Sequence, residues 1–503
     1  MTAFLALDQG TTSSRALVYD SAGRELARAQ QEFTQHFPRP GWVEHDPEEI
    51  WTTQWQSAER AWRAAGAPPI LGVGITNQRE TVVVFDRRTS QPIHRAIVWQ
   101  DRRTTGYLQA LRAGGREAAV LDATGLPLDP YFSAAKIAWI LDAVPGARAA
   151  AERGELGAAT VDAWLVYRLT GGKVFATEPS NASRTSLYDL ERGGWSDELC
   201  AWFRVPRAML PEIRPSAGAF GACATHGWPI TGVVGDQQAA LFGQGCLAAG
   251  AAKCTFGTGA FLLCNVGERR PHPPRGLLAT VAWRLGGTDT FAVEGSVLVS
   301  GALVQWLRDG LQLFAHASEV EALARSVPDS AGLAIVPAFA GLGSPHWDPD
   351  ARGAIFGITR GATRAHLARA ALEAMALQAA EQCELFAQAL HAPLAELRVD
   401  GGAAGNDLLL GILAGLAGIP VRRNADLEST ALGACRMAML GAGVARGPAD
   451  LPPLAAGARV FAPGEVAVDA TRLRRAYAEA VRRSLGWARA SAGGGGGEDA
   501  PRP

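Results

Sequence analysis

Asp8-Gln9-Gly10-Thr11-Thr12-Ser13-Ser14-Arg15 is the first stretch of the chain equipped for chemistry. Glycine lets a backbone approach an anion closely, and Thr and Ser hydroxyls with free N–H groups bind phosphate oxygens. Asp8, at the end of an apolar run, has the position to hold a hydrated Mg²⁺. An ordinary hairpin with a polar turn explains the same eight residues equally well when they are taken alone. Gly257-Thr258-Gly259 offers a second turn of this kind, and in isolation a plain hairpin is its simpler reading. Two such turns opening two similar halves of a chain point to one nucleotide phosphate chain gripped from both sides.

Four further places carry candidate groups. In Gly235-Asp236-Gln237-Gln238, Asp236 follows the apolar run Ile230 to Val234; it reads as a helix N-cap or as a general base for a hydroxyl proton in phosphoryl transfer. In Thr76-Asn77-Gln78-Arg79-Glu80-Thr81, adjacent opposite charges would ordinarily be a solvated pair. Between two strands, Arg79 and Glu80 can instead bind a polyol, the carboxylate accepting hydroxyl protons and the guanidinium donating to hydroxyl oxygens. Trp99 and Phe261 could cover the carbon face, although core packing explains either alone. Arg398-Val399-Asp400-Gly401-Gly402-Ala403-Ala404-Gly405-Asn406-Asp407 reads as strand, glycine turn and helix start, with room under a flat base and Asn406 placed to hydrogen-bond it. No Walker A lysine, protein-kinase H-R-D, H-E-x-x-H or G-x-S-x-G is present.

The elements that must hold these groups follow from apolar patterning. Phe4–Leu7, Arg15–Asp20 and Arg24–Phe33 read as three strands joined by tight turns, an antiparallel meander. Asp46-Pro47-Glu48-Glu49 is a helix start, and apolar spacing continues the helix from Ile50 to Trp62. Strands return at Ile70–Thr76 and Thr81–Phe85. Ala252–Phe256, a Gly-Thr-Gly turn and Phe261–Leu263 repeat the opening pattern, a weak internal duplication rather than a solenoid period.

Bulk properties narrow the class. A chain of 503 residues exceeds one simple core, and its 48 basic and 49 acidic residues leave a net charge of -1, which gives no reason to expect nucleic-acid or membrane-surface binding. Lysine occurs only at Lys136, Lys173 and Lys253, which reads as a compositional bias toward Arg and Ala. Seven scattered cysteines without Cys-x-x-Cys spacing read as small buried residues in a reducing compartment, and no signal peptide or spanning helix is expected.

Taken together, LALDQGTTSSRA (5–16), GITNQRETVVVFD (74–86), YFSAAKIAWILD (131–142), NASRT (181–185), GDQQAALFGQ (235–244), FGTGAFLL (256–263), PAFAGLGSPHWDPDARGAIFGITRG (337–361) and RVDGGAAGND (398–407) resemble the FGGY family of carbohydrate kinases, with similarity from about residue 4 to about residue 488. The resemblance implies an α/β fold of two actin-like ATPase (ribonuclease H-like) domains with the nucleotide in the cleft between them. The domains expected are 1–245 and 246–490, followed by a disordered tail over 491–503. It implies ATP and Mg²⁺, and the Asn-Gln-Arg-Glu-Thr and Gly-Asp-Gln-Gln segments favour glycerol over pentuloses or gluconate as the phosphate acceptor. The acceptor site carried over is Arg79, Glu80, Trp99, Tyr131, Asp236, Gln237 and Phe261, with Asp236 as base. The nucleotide site is Thr11, Thr12, Ser13 and Arg15 at the first turn, Thr258 at the second, and Gly301, Gln305, Gly402 and Asn406 around the adenosine, with Asp8 toward the metal. A cytoplasmic homodimer or homotetramer is the family expectation. Some members carry a basic glycine loop that binds a sugar bisphosphate. Residues 216–229 show no clear match to it, and His226 reads as an ordinary surface histidine.

Overall fold

The computed structural model describes residues 2–425 and 428–488; the expected tail over 491–503 lies outside the described residues. The opening meander forms as read: β1 (Ala3–Gln9), β2 (Ser13–Asp20) and β3 (Glu25–Glu32) pair antiparallel. β4 (Ile70–Asn77) joins β1 in parallel and β5 (Ile230–Gly235) joins β4 in parallel, giving the order β5-β4-β1-β2-β3. Helix α1 (Pro47–Ala64) packs on β2 and β3, and Asp46 caps it by accepting from the Glu48 N–H at 2.8 Å.

The same path recurs in the second half. β6 (Ala252–Phe256) pairs antiparallel with β7 (Ala260–Gly267). β8 (Leu278–Leu285) and β9 (Thr288–Val297) form the next hairpin, and β10 (Leu397–Asp400) and β11 (Val421–Arg423) add in parallel. The sheet runs β8-β9-β7-β6-β10-β11 and is closed at its far edge by β12 (Arg459–Phe461). Its central order β9-β7-β6-β10-β11 repeats β3-β2-β1-β4-β5 with the same directions, so the duplication sensed at the two glycine turns is a duplication of whole sheets. This is the two-part α/β architecture expected, of the actin-like ATPase type.

Helix α2 (Asp236–Gly243) leaves β5 and packs along α3 (Ser429–Gly441), which also lies against β1, β4 and β5. The two helices touch backbone to backbone: a Cβ on Gly433 would stand 1.9 Å from the Ala239 carbonyl oxygen. An apolar cluster of Phe4, Leu17, Tyr19, Phe242, Leu263 and Trp283 ties the two sheets together around this pair. All seven cysteines are free and buried, and no helix among the described residues is long and apolar enough to cross a membrane.

Candidate active site

The acceptor-side residues converge where the ends of β4 and β5 face β9. Arg79 and Glu80, only 3% and 2% exposed, are not a solvated pair and do not pair with each other. Arg79 makes a bidentate contact with Glu294, at 2.6 and 3.0 Å, and its Nε lies 3.2 Å from Asp236 Oδ1. Glu80, held at a left-handed φ of 63°, accepts from Arg184 Nε at 2.6 Å. Arg184 in turn reaches Glu294 at 3.1 Å, so Glu80, Arg184, Glu294, Arg79 and Asp236 form one chain of alternating charge. Trp99 stands edge-on to both Tyr131 (5.6 Å) and Phe261 (6.0 Å), making a three-ring wall beside that chain.

Burial and pairing set the electrostatics. Burial raises the Glu80 carboxyl above its usual range, despite Arg184 and Arg79 beside it. Burial acts the same way on Glu294, but there Arg184 and Arg79 prevail and bring the carboxyl down to about 2. Asp236 is the first residue of α2 and not its cap, which is Gly235; its Oδ1 accepts from the Gln237 N–H at 2.7 Å. Because Gly235 takes the extended capping position, the Asp236 carboxylate stays partly exposed and turned toward Arg79.

The first phosphate turn closes with the Gly10 N–H donating to the Ser13 carbonyl at 2.9 Å. Thr11 accepts from Trp99 Nε1 at 3.0 Å, which joins this turn to the acceptor wall, while Thr12 is exposed. Ser13 is buried and accepts from Gln30 at 2.9 Å. Arg15 bonds Asp8 at 2.5 Å and Glu428 at 2.8 Å. Burial raises the Asp8 carboxyl, with Arg15 opposing and Glu428 and Asp236 adding to the rise. At the second turn, the Gly257 and Thr258 carbonyls accept from the Gly301 (3.0 Å) and Ser300 (2.8 Å) amides. A cavity of about 630 Å³ there is lined by Thr258, Gly301, Gln305, Gly402 and Asn406, all five of the residues expected on that side. Asn406 caps the following helix through Oδ1, accepting from the Leu409 N–H at 2.9 Å.

Several residues of the site escaped the sequence reading. Arg184 and Glu294 complete the charge chain. Lys253, fully buried, donates to Thr255 Oγ1 at 2.9 Å, to the Phe261 carbonyl at 3.2 Å and to Gln237 Oε1 at 2.5 Å. Glu178 accepts from the Ser180 and Asn181 amides at 2.8 Å, and Ser180 Oγ accepts from the Gly235 N–H at 2.8 Å, next to Asp236. His226, away from this cleft, is no ordinary surface histidine: it stacks on Trp228 at 4.3 Å, lies beside Trp55 and Trp62, and contacts Glu59.

Sequence models of the FGGY family of carbohydrate kinases match the chain twice, the N-terminal domain over residues 3–243 and the C-terminal domain over residues 252–442. The chain belongs to the FGGY family of carbohydrate kinases. This FGGY kinase is 54% identical over 499 residues to the glycerol kinase of Alkalilimnicola ehrlichii, spanning 97% of the chain and 99% of that relative. It is 51% identical to the glycerol kinase of Deinococcus radiodurans, spanning 96% of the chain and 97% of the relative. The crystal structure of Plasmodium falciparum glycerol kinase with ADP matches with a TM-score of 0.88 at 31% identity, over 96% of this chain and 98% of that one. Xylulose kinase from Lactobacillus acidophilus shares the FGGY fold, with a TM-score of 0.87 at 19% identity over 96% of this chain and 98% of that one.

Proposed function

We propose that this FGGY kinase transfers the γ-phosphate of ATP to glycerol, giving sn-glycerol 3-phosphate and ADP. The observation that carries the reading is Asp236, partly exposed at the head of α2 and held by Arg79 Nε at 3.2 Å beside the wall of Trp99, Tyr131 and Phe261. Glycerol offers three hydroxyls and little apolar surface, so recognition must come from hydrogen bonds. Glu80 spends one oxygen on Arg184, leaving the other for a substrate hydroxyl, and Arg79 keeps one Nη2 hydrogen beyond its contacts. Gln237 adds an amide to the same wall. Asp236 accepts the proton of the attacking hydroxyl as that oxygen bonds to the γ-phosphorus and the bond to the β-phosphate oxygen breaks.

Thr11, Thr12, Ser13 and Arg15 hold the phosphates from one side and Thr258 from the other. The base and ribose occupy the cavity bordered by Gly301, Gln305, Gly402 and Asn406. Asp8 is a buried carboxylate paired with Arg15 at 2.5 Å and crowded electrostatically by Glu428 and Asp236; it would hold Mg²⁺ through water. An ion there would be held mostly by water and phosphate oxygens. Mg²⁺, when bound, neutralises charge on the phosphates. The reading includes domains at 1–245 and 246–490, a cytoplasmic location and a homodimer or homotetramer, the last tested by light scattering. ADP release measured with glycerol, dihydroxyacetone, xylulose and gluconate is expected to give the highest kcat/KM for glycerol. Preference for a sugar would overturn the acceptor assignment.

A further inference from the structure

Lys136 lies in the first turns of the helix Ser133–Ala143 and is fully buried. No carboxylate among the described residues is in ion-pair contact with it. Its Nζ instead donates to three consecutive backbone carbonyls, those of Pro130, Tyr131 (2.7 Å) and Phe132 (3.1 Å). The Pro130 and Tyr131 carbonyls have no other hydrogen-bond donor among the described residues. The free N–H groups of a helix's first turn could serve such carbonyls, but here the Ala134 N–H goes to the Thr185 carbonyl, so the buried Pro130 and Tyr131 carbonyls take their donor from Lys136. An ammonium has three hydrogens on one atom and can meet three converging carbonyls, whereas a planar guanidinium cannot. In a chain that uses arginine for nearly all its basic charge, two of its three lysines, Lys136 and Lys253, are fully buried.

The same helix start touches the rest of the acceptor site. Ser133 Oγ donates to the Glu80 carbonyl at 2.9 Å, and the Ala134 N–H donates to the Thr185 carbonyl at 2.8 Å, next to Arg184. We infer that Lys136 is a positioning residue that clamps the 130–132 loop, so that Tyr131 is held against Trp99 and the acceptor pocket keeps its shape. This rests on the acceptor site proposed above. Burial lowers the ammonium to about 7, with Asp101, Glu80 and Asp129 opposing and Arg102 adding to the fall. Tyr131, the other titratable group on this loop, is pushed well above the usual phenol value. A neutral amine keeps only two hydrogens, so one carbonyl is released as pH rises through neutrality.

The test combines Lys136→Met and Lys136→Arg with hydrogen exchange of the ligand-free protein. Both variants are expected to raise the acceptor KM by about 10-fold or more, as expected for a misplaced pocket wall, with the ATP KM changed less than about two-fold. Hydrogen exchange should show faster exchange of the Tyr131 and Phe132 amides in Lys136→Met. In the native protein, their protection, corrected for intrinsic exchange, should fall between about pH 6 and pH 9. Equal rises in both KM values, or an unchanged acceptor KM, overturn the clamp. If Lys136→Met does not fold, Lys136→Arg decides by the same exchange measurement, and unchanged protection of those amides overturns the clamp as well. Exchange needs no substrate, so failure of the glycerol reading would leave this measurement intact.

Discussion

The two sides of the cleft are built on opposite plans. The acceptor side consists of charged side chains removed from water and paired in series, from Glu80 through Arg184, Glu294 and Arg79 to Asp236. The nucleotide side consists of glycine backbone and open volume, with a 630 Å³ cavity bordered by Gly301 and Gly402. A small triol has few atoms to hold, so each hydrogen bond must be in place beforehand and each loss is large. An adenosine spreads its contacts over a wide surface, so single losses are small. Breaking a buried ion pair leaves an uncompensated charge, which costs far more than the pair contributes.

The largest effect should come at the junction of the two plans. Asp236→Asn keeps the shape and removes the proposed base; kcat is expected to fall about 10²- to 10⁴-fold with ATP affinity nearly unchanged. Single-turnover kinetics with ATP titration check this, and near-normal turnover removes Asp236 from the base role. Next comes Arg79→Ala, which removes the donor proposed to meet glycerol and leaves Glu294 half-paired. Leaving a buried group unsatisfied costs about 1–3 kcal/mol, or about 5- to 150-fold in glycerol KM, and the ATP KM should move much less. Equal shifts in both constants would mean that the two plans are not separable.

Legibility in the sequence followed the same division. Asp8 stands at the end of β1, Arg79 and Glu80 in the short polar segment after β4, and Asp236 where β5 passes into α2, places where local pattern is enough to mark a polar residue beside an apolar run. The nucleotide border was legible for a similar reason, since glycine clusters announce close backbone approach. Arg184 and Glu294 were not read, because their roles exist only through partners 104, 110 and 215 residues away. The available signal for Glu294 was one carboxylate within the buried run Phe291–Val297. Lys136 and Lys253 were absorbed into a composition argument, although the rarity of lysine made each position more informative. Two of the three tryptophans around His226, Trp55 and Trp62, stand on α1 far away in sequence, while the third, Trp228, is two residues on and was a local signal left unread.

A smaller effect is expected at Gly301, where an added Cβ would lie 2.5 Å from the Gly257 carbonyl oxygen. Gly301→Ala must therefore push back the second phosphate turn. The ATP KM should rise about 3- to 10-fold and the glycerol KM stay nearly constant, the mirror image of Arg79→Ala. A larger change in glycerol KM would show that the nucleotide side is not an independent wall.

A last contrast separates two of the three acids of the charge chain by pH. Glu294 is held at about 2 against an ordinary 4.5, so its contribution to stability is full above the ordinary value and is lost as pH falls toward 2. Glu80 is shifted upward by burial, so acid favours its folded form and its contribution has the opposite sign. Glu294→Gln should therefore lower Tm most near about pH 6, with the gap from the native protein narrowing toward about pH 3. Glu80→Gln should show a gap that does not narrow in that way. A constant gap for Glu294→Gln would mean that its carboxylate is not the charged centre on which Arg79 and Arg184 converge.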